Sequence, residues 1–309
     1  MRIIESANPR PLNLLAVGPG ALVAAASATF GAFGGVEVWD TGSGARKFAQ
    51  SLPNREASAL ALFADRLLIG EKWGKFVAFE LATWKVTPAP LVKSPVCALS
   101  TSGMPLLATT WYAGSSVGGA VECFAAEPGP TFQRLWVVGA HELVLYGAPA
   151  VAPNGSRCAV TVGSAAATGR PSQRVSIRDA DTGVERVAIS LDAADPVQQL
   201  AFTADGTKLL SRTSGRSVQL FDTATGVPAG ELVHPGRPYV TGIAVHPRGP
   251  VACARTNGTV TFWDAETRAQ LRTLDWKAGK LVSVAFSPDG ALAAAGTEDG
   301  KVVVWDVDI

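Results

Sequence analysis

Short apolar runs separated by tight turn signals recur along the chain. They are clearest near the C-terminal end: LVSVAF (281–286), the turn Ser287-Pro288-Asp289-Gly290, ALAAAG (291–296), the turn Glu298-Asp299-Gly300, and VVVWD (302–306). Runs of this length between Asp, Gly and Pro turns predict strands. The runs are apolar throughout and do not alternate with polar residues, so each strand is expected to be buried on both faces. The same order appears as VTGIAV, HPRG, VACAR, TNG and TVTFWD within 240–264, and as VQQLAF, TADG, TKLLSR, SGR and SVQLFD within 197–222. Looser copies end at Arg178-Asp179, Phe124-Ala125, Phe79-Glu80 and Trp39-Asp40. The third-strand ends therefore fall near 39, 79, 124, 178, 221, 263 and 305, which makes seven units in residues 1–309. A period of about 42 residues is that of a four-stranded blade repeat.

The chain resembles the WD-repeat (WD40-type) β-propellers. Trp39-Asp40, Trp263-Asp264 and Trp305-Asp306 match the signature dipeptide, and Phe221-Asp222 is a near match. A Thr-Gly turn after the third strand recurs in Asp179–Gly183 and Asp222–Gly226. The resemblance implies one all-β domain, a seven-bladed β-propeller of four-stranded antiparallel blades. It also implies that the N-terminal segment Arg2–Ser6 pairs beside Val302–Trp305 as the outer strand of blade seven, closing the ring and removing an exposed edge. The usual Gly-His before the inner strand is nearly absent: His141 and His234 lie close to its place, and Trp276-Lys277 occupies it in the seventh unit. The serine that would join the His-Asp-Trp hydrogen-bond network falls at Ala295, so Asp299 is read as a turn residue.

Composition narrows the function. Charged residues are 17 % and hydrophobic residues 47 % of 309, which excludes a disordered tail protein. The net charge is +1, and no third of the chain carries a strong basic excess, so no nucleic-acid partner is expected. Cys97, Cys123, Cys158 and Cys253 lack CxxC spacing. They read as small buried hydrophobes in a reducing, cytoplasmic setting. Two charge-poor stretches, Pro11–Val36 and Ser94–Val121, are broken by Gly18-Pro19-Gly20 and Ser102-Gly103-Met104-Pro105. They read as inner blade strands; neither a membrane span nor a cleaved leader is expected.

Catalytic chemistry is sparse. The predicted inner strands (Leu12–Gly18, Ala59–Phe63, Pro95–Leu99, Gly147–Ala152, Val197–Phe202, Val240–Val245 and Leu281–Phe286) contain no Asp, Glu or His. A propeller enzyme with an axial metal places such groups there, so no catalytic residue, metal or other cofactor is expected. His246, in the turn His246-Pro247-Arg248-Gly249, reads as a solvated turn residue. Gly42-Ser43-Gly44 reads as a turn. The glycine clusters Gly31–Gly35 and Gly114–Gly119 lack the lysine and helix of a phosphate loop.

In the family, the loops before the inner strands and between second and third strands share one face, the top. Three of the latter loops are enlarged here: Ala28–Gly35, Trp111–Gly119 and Gly163–Gln173. Consecutive units place Phe30, Phe33, Trp73, Trp111 and Tyr112 in or beside such loops, flanked by Lys72, Lys75, Arg170 and Arg174. One reading is a partner-binding patch, since aromatics and arginine are enriched in binding hot spots. The other is that Phe30 and Phe33 fold back to plug their loop while Trp111 ends a strand inside the core. Tyr146 and Tyr239 either face the top opening or pack between blades. Trp84, which replaces the turn glycine of the second unit, is expected alone on the opposite face. The expected function is a monomeric, non-catalytic scaffold that binds a protein or peptide on the top face. The alternative is a small-molecule-binding or hydrolytic propeller using the central opening.

Overall fold

The computed structural model describes the chain except residues 8, 28–33, 53–56, 64, 72–75, 88–95, 102–105, 112–118, 127–131, 140–142, 145–148, 165–171, 192–195 and 309. Within strands, only the backbone is described at 34, 63, 76, 96–101, 106–111, 119–121, 125–126, 132, 138–139, 143–144, 164 and 172.

The strands form seven antiparallel sheets. Blade 1 runs Leu14–Gly18, Leu22–Ala26, Gly34–Asp40 and Arg46–Leu52 from inner to outer strand. Blades 2, 3, 5 and 6 repeat that order, their third strands being Phe76–Glu80, Gly119–Ala126, Ser217–Asp222 and Thr259–Trp263. Blade 4 is irregular on its inner side. Two short segments, Leu143–Val144 and Ala150–Val151, both pair with its long second strand, Arg157–Ser164. In blade 7 the outer strand comes from the N-terminal segment: Arg2–Glu5 pairs with Lys301–Asp306 in the register Arg2↔Val304 to Glu5↔Lys301. Inner strands touch in succession around the whole ring, including blade 7 against blade 1. The chain is thus a closed seven-bladed propeller.

The core lies in the joints between blades. Strand side chains alternate faces, so a strand packed on both sides sends successive residues into different joints. Leu209 joins the cluster shared with blade 4, whereas Leu210 joins the one shared with blade 6, and both are fully buried. The signature aromatics all point the same way. Trp39, Phe79, Phe221, Trp263 and Trp305 each pack into the joint with the preceding blade. Burying each such large apolar side chain contributes about 1.5–3 kcal/mol.

In blades 1, 4, 5 and 6 an aspartate at the end of the third strand caps the turn that follows. Oδ1 of Asp222 accepts the backbone N–H of Thr225 and its hydroxyl, both at 2.8 Å, and the N–H of Ala224 at 3.0 Å. Asp40, Asp179 and Asp264 hold the equivalent turns through Ser43, Thr182 and Thr267. These bonds favour the carboxylate form. Asp179 is lowered to about 2, first by the N–H of Thr182, then by Arg186 and the Thr182 hydroxyl. The fifth residue of the turn adopts a positive φ, and in blades 2 and 6 it is not glycine: Trp84 has φ 57° and Arg268 φ 60°.

Two sequence expectations change. Trp84 is not alone, because its ring stacks on Phe48 of the preceding blade, with centroids 4.8 Å apart and planes at 14°. His246 is not solvated. It is buried, with Nε2 2.9 Å from the Gly290 carbonyl oxygen of blade 7 and Nδ1 accepting the Arg248 N–H at 3.0 Å. The next blade's turn covers it. Asp299, by contrast, is a turn residue, accepting the Thr297 hydroxyl and the Lys301 ammonium, each at 2.6 Å.

Candidate functional site

The top face is where the described side chains leave chemistry unused. Of the sequence-derived candidates, Phe30, Phe33, Lys72, Trp73, Lys75, Tyr112 and Arg170 lie outside the described residues. Trp111 ends the second strand of blade 3 opposite Gly119, and only its backbone is described. Arg174 lies near the top end of blade 4's third strand and is paired with Glu185. Glu185 also accepts the Ser176 hydroxyl at 2.5 Å and lies 3.5 Å from Arg178. Arg174 is thus tied into an ion-pair ladder along its own blade.

A second sector stands out at the joint of blades 5 and 6. Three segments meet there: 212–217, 234–240 and 253–259. Gly215 O accepts the Val240 N–H at 3.4 Å, while Tyr239 and Thr256 exchange backbone bonds through Tyr239 O at 3.1 Å and Thr256 Oγ1 at 3.0 Å. Tyr239, pinned between the two loops, stays 49 % exposed. The Arg216 guanidinium sits 5.5 Å from its ring centroid, within cation–π range.

Behind this surface lie two arginines. Arg212 is 9 % and Arg255 6 % exposed. Among the described residues Arg212 donates to neutral groups: Gln198 Oε1 at 2.6 Å, Val240 O at 3.3 Å, Thr213 O and Gln199 Oε1 at 3.4 Å each. Arg255 donates to Pro235 O at 2.8 Å, and its Nε has no acceptor among the described residues. Burial pushes Arg212 down to about 10 and also lowers Arg255. His234 is buried beside them, its ring T-shaped on Trp263 at 4.8 Å, and neither ring nitrogen has a partner among the described residues. In blade 7 the equivalent pair is Trp276 on Trp305, at 4.4 Å. Burial first, and then the Arg255 charge, push His234 down to about 4.

Sequence reasoning missed this sector although its signal is there: the three segments carry Arg212, Arg216, Arg237 and Arg255 and not one Asp or Glu. Whole-chain charge averages it away. Among the described residues, no group of three or more His, Cys, Asp and Glu could hold a metal, and no helix is long and apolar enough to cross a membrane.

The comparisons follow the repeat. The WD domain, G-beta repeat family matches residues 268–306. A WD repeat-containing protein SL1-17 of Schistosoma mansoni is 30 % identical over 148 residues, 48 % of each chain. The Protein LST8 homolog of Drosophila melanogaster is 23 % identical over 137 residues, 44 % of each. The matched region thus spans about half the length of these curated relatives. Among solved structures, the β-propeller domain of Cps50 (Swd1) from Myceliophteria thermophila superposes over 100 % of both chains with a TM-score of 0.73 at 16 % identity, a likeness of fold. Seven phased repeats, signature aromatics in the blade joints and this matched repeat make the chain a seven-bladed β-propeller similar to the WD-repeat proteins.

Proposed function

We propose that this protein is a non-catalytic scaffold, monomeric and cytoplasmic, that binds a protein or peptide on its top face. Fold alone does not fix function, so the reading rests on the site. The observation that carries it is the contrast between the two faces. On the bottom, aspartates, hydroxyls and turn amides satisfy one another. On the top, a half-exposed Tyr239 and an exposed Arg216 stand ready to be covered. Aromatic and arginine side chains held on a rigid frame are the usual anchors of protein interfaces. The aromatic sector of the first three blades, Phe30, Phe33, Trp73, Trp111 and Tyr112 with Lys72, Lys75, Arg170 and Arg174, extends this proposal around the ring.

The test compares wild type with a Trp73→Ala/Trp111→Ala variant of unchanged circular dichroism and melting temperature. Each is used to capture partners from the native lysate, and the captured protein is then rebound in purified form. Loss of a hot spot lowers affinity roughly thirtyfold. A purified partner bound by wild type and lost in the variant supports both the scaffold and this sector. Equal binding by both places the partner elsewhere on the ring. Absence of any protein partner together with a small-molecule shift in melting temperature overturns the scaffold reading.

A further inference from the structure

We infer that the top of the blade 5–6 joint is an oxyanion seat that takes an acidic segment of the partner, with carboxylate or phosphate side chains. The inference rests on the scaffold reading and names the partner's chemistry. Exposed Arg216 and Arg237 flank Tyr239, and buried Arg212 and Arg255 lie behind it.

Two independent observations lead to it. The first is charge. The segments 212–217, 234–240 and 253–259 bring four arginines to one joint with no acidic residue among them. Neighbouring loops do not share this property: in the equivalent loops of blade 7, Lys277 is paired with Asp275, Lys280 with Glu298 and Lys301 with Asp299.

The second is the state of the buried pair. A guanidinium taken out of water loses several kcal/mol of hydration, and neutral acceptors recover only part of it. Arg212 has four neutral acceptors, and Arg255 Nε has none among the described residues. Charge held in this way beneath the surface is screened less than charge at the surface, and adds to the attraction felt by an anion at Arg216 and Arg237. An anion there gains charge-assisted, geometrically defined bonds from guanidinium forks.

A peptide fits this seat better than a nucleic acid does. The four arginines lie in three short segments at one joint, on a chain of net charge +1, and Tyr239 is the one exposed aromatic in those segments. A nucleic-acid strand is tracked by an extended basic groove with successive stacking platforms. Asp192 and Asp195 precede the inner strand of blade 5 in the sequence and lie outside the described residues. They are the chain's own candidates to fill the seat, so the test includes them.

The test uses the full chain and fluorescence anisotropy with four labelled probes: octaglutamate, a doubly phosphorylated Ser-Gly octapeptide, octalysine and an eight-nucleotide single-stranded RNA. Octaglutamate or the phosphopeptide should bind, and whichever binds tighter names the oxyanion. Octalysine should not bind. The affinity should fall with salt and fall roughly tenfold or more in Arg216→Gln/Arg237→Gln, a surface variant of unchanged melting temperature. Tyr239→Ala should weaken binding as well.

Binding of neither acidic probe, equal binding by the variant, or preference for RNA overturns the inference. So does binding that appears only in Asp192→Asn/Asp195→Asn, because the chain then fills its own seat. Rebinding of the purified lysate partner to Arg216→Gln/Arg237→Gln separates the two levels. A partner bound equally well by this variant leaves the scaffold standing and removes the seat. No partner and no acidic-probe binding removes both.

Discussion

The indole of Trp136, on the outer strand of blade 3, lies across Gly183 in the aspartate turn of blade 4 and donates Nε1 to the Ala180 carbonyl at 2.7 Å. A Cβ at Gly183 would stand 2.8 Å from the indole ring. The relation recurs around the bottom of the ring. Arg2 crosses Gly44, and Val187 crosses Gly226. In blade 6 the roles reverse, Arg268 of the turn reaching over Gly230 of the preceding outer strand, and in blade 2 two rings stack, Trp84 on Phe48. In four of these five joints, therefore, a glycine on one side makes room for a larger side chain on the other.

Gly183→Ala should lower stability by about 2–4 kcal/mol, combining a left-handed alanine with an overpacked indole. Gly206→Ala is the control, since Gly206 has φ 71° but a methyl added there would meet nothing within 4 Å. It should lose only the conformational share, about 1 kcal/mol. Chemical denaturation of both variants measures the difference. Equal losses would mean that the Trp136 contact yields freely.

Glu37 pins the ring closure. It is buried on the third strand of blade 1 and accepts the Ser6 hydroxyl, the Ala7 N–H at 3.2 Å and Arg46 Nη1 at 2.6 Å. It thereby ties the segment following the closing strand to blade 1, while Arg2–Glu5 pairs with blade 7. Glu37→Ala should cost about 2–4 kcal/mol, as expected for breaking a largely buried charged network. Hydrogen exchange should rise at Ile3 and Ile4 before it rises in blade 5. Uniform acceleration across the ring would show that strand pairing alone holds the closure.

The repeat was legible because every blade obeys the same constraint, burial on both faces, which writes apolar runs and turn residues at a fixed period. The closing strand was legible for the same reason: an unpaired third strand in blade 7 needs a partner. What crosses between blades was not legible. His246 sits in an ordinary turn sequence, and only the carbonyl of Gly290, some forty residues on, makes it a buried residue. Trp84 reads as an isolated aromatic until Phe48 of the preceding blade is placed under it. The Tyr239 sector was hidden differently, since its arginines are spread over three segments that only the ring brings together. The inner side of blade 4 did carry a signal, Gly147 and Pro149 between its two segments, which reading Gly147–Ala152 as one strand passed over.

His234 should make stability depend on pH. Its folded pKa is about 4 against an ordinary 6.5, depressed by burial and by Arg255. Between these values the unfolded chain binds a proton that the folded chain refuses, so stability rises with pH through the window. The contribution is complete above about pH 6.5 and is lost as the pH falls toward 4. Asp179, lowered to about 2, acts mainly below this window. Replacing His234 by Phe keeps a ring on Trp263 and removes the titration. Melting temperatures at pH 4.5, 5.5 and 7 should then vary less in His234→Phe than in wild type. Parallel curves would assign the slope to other groups.

Three cysteines should be inert in the native state. Cys123, Cys158 and Cys253 are free and buried, and desolvation first of all pushes each thiol up to about 12. The thiolate is the reactive form, so both its population and its access to solvent are suppressed near neutral pH. Cys123 and Cys158 share the blade 3–4 joint, and Cys253 lies in the blade 5–6 joint beneath Arg212 and Arg255. The two arginines favour the Cys253 thiolate, but burial outweighs them. Native protein treated with an aromatic disulfide reagent at pH 8, then digested and analysed by mass spectrometry, should show these three unlabelled while denatured protein labels fully. Opening of a joint is the route to reaction, so labelling rates read joint stability directly. Glu37→Ala should leave Cys123 and Cys158 protected, because the strand it releases belongs to the blade 7–1 joint on the other side of the ring. Rapid labelling of Cys253 alone in the native state would show instead that the arginine pair lowers its pKa and that the blade 5–6 joint opens to solvent.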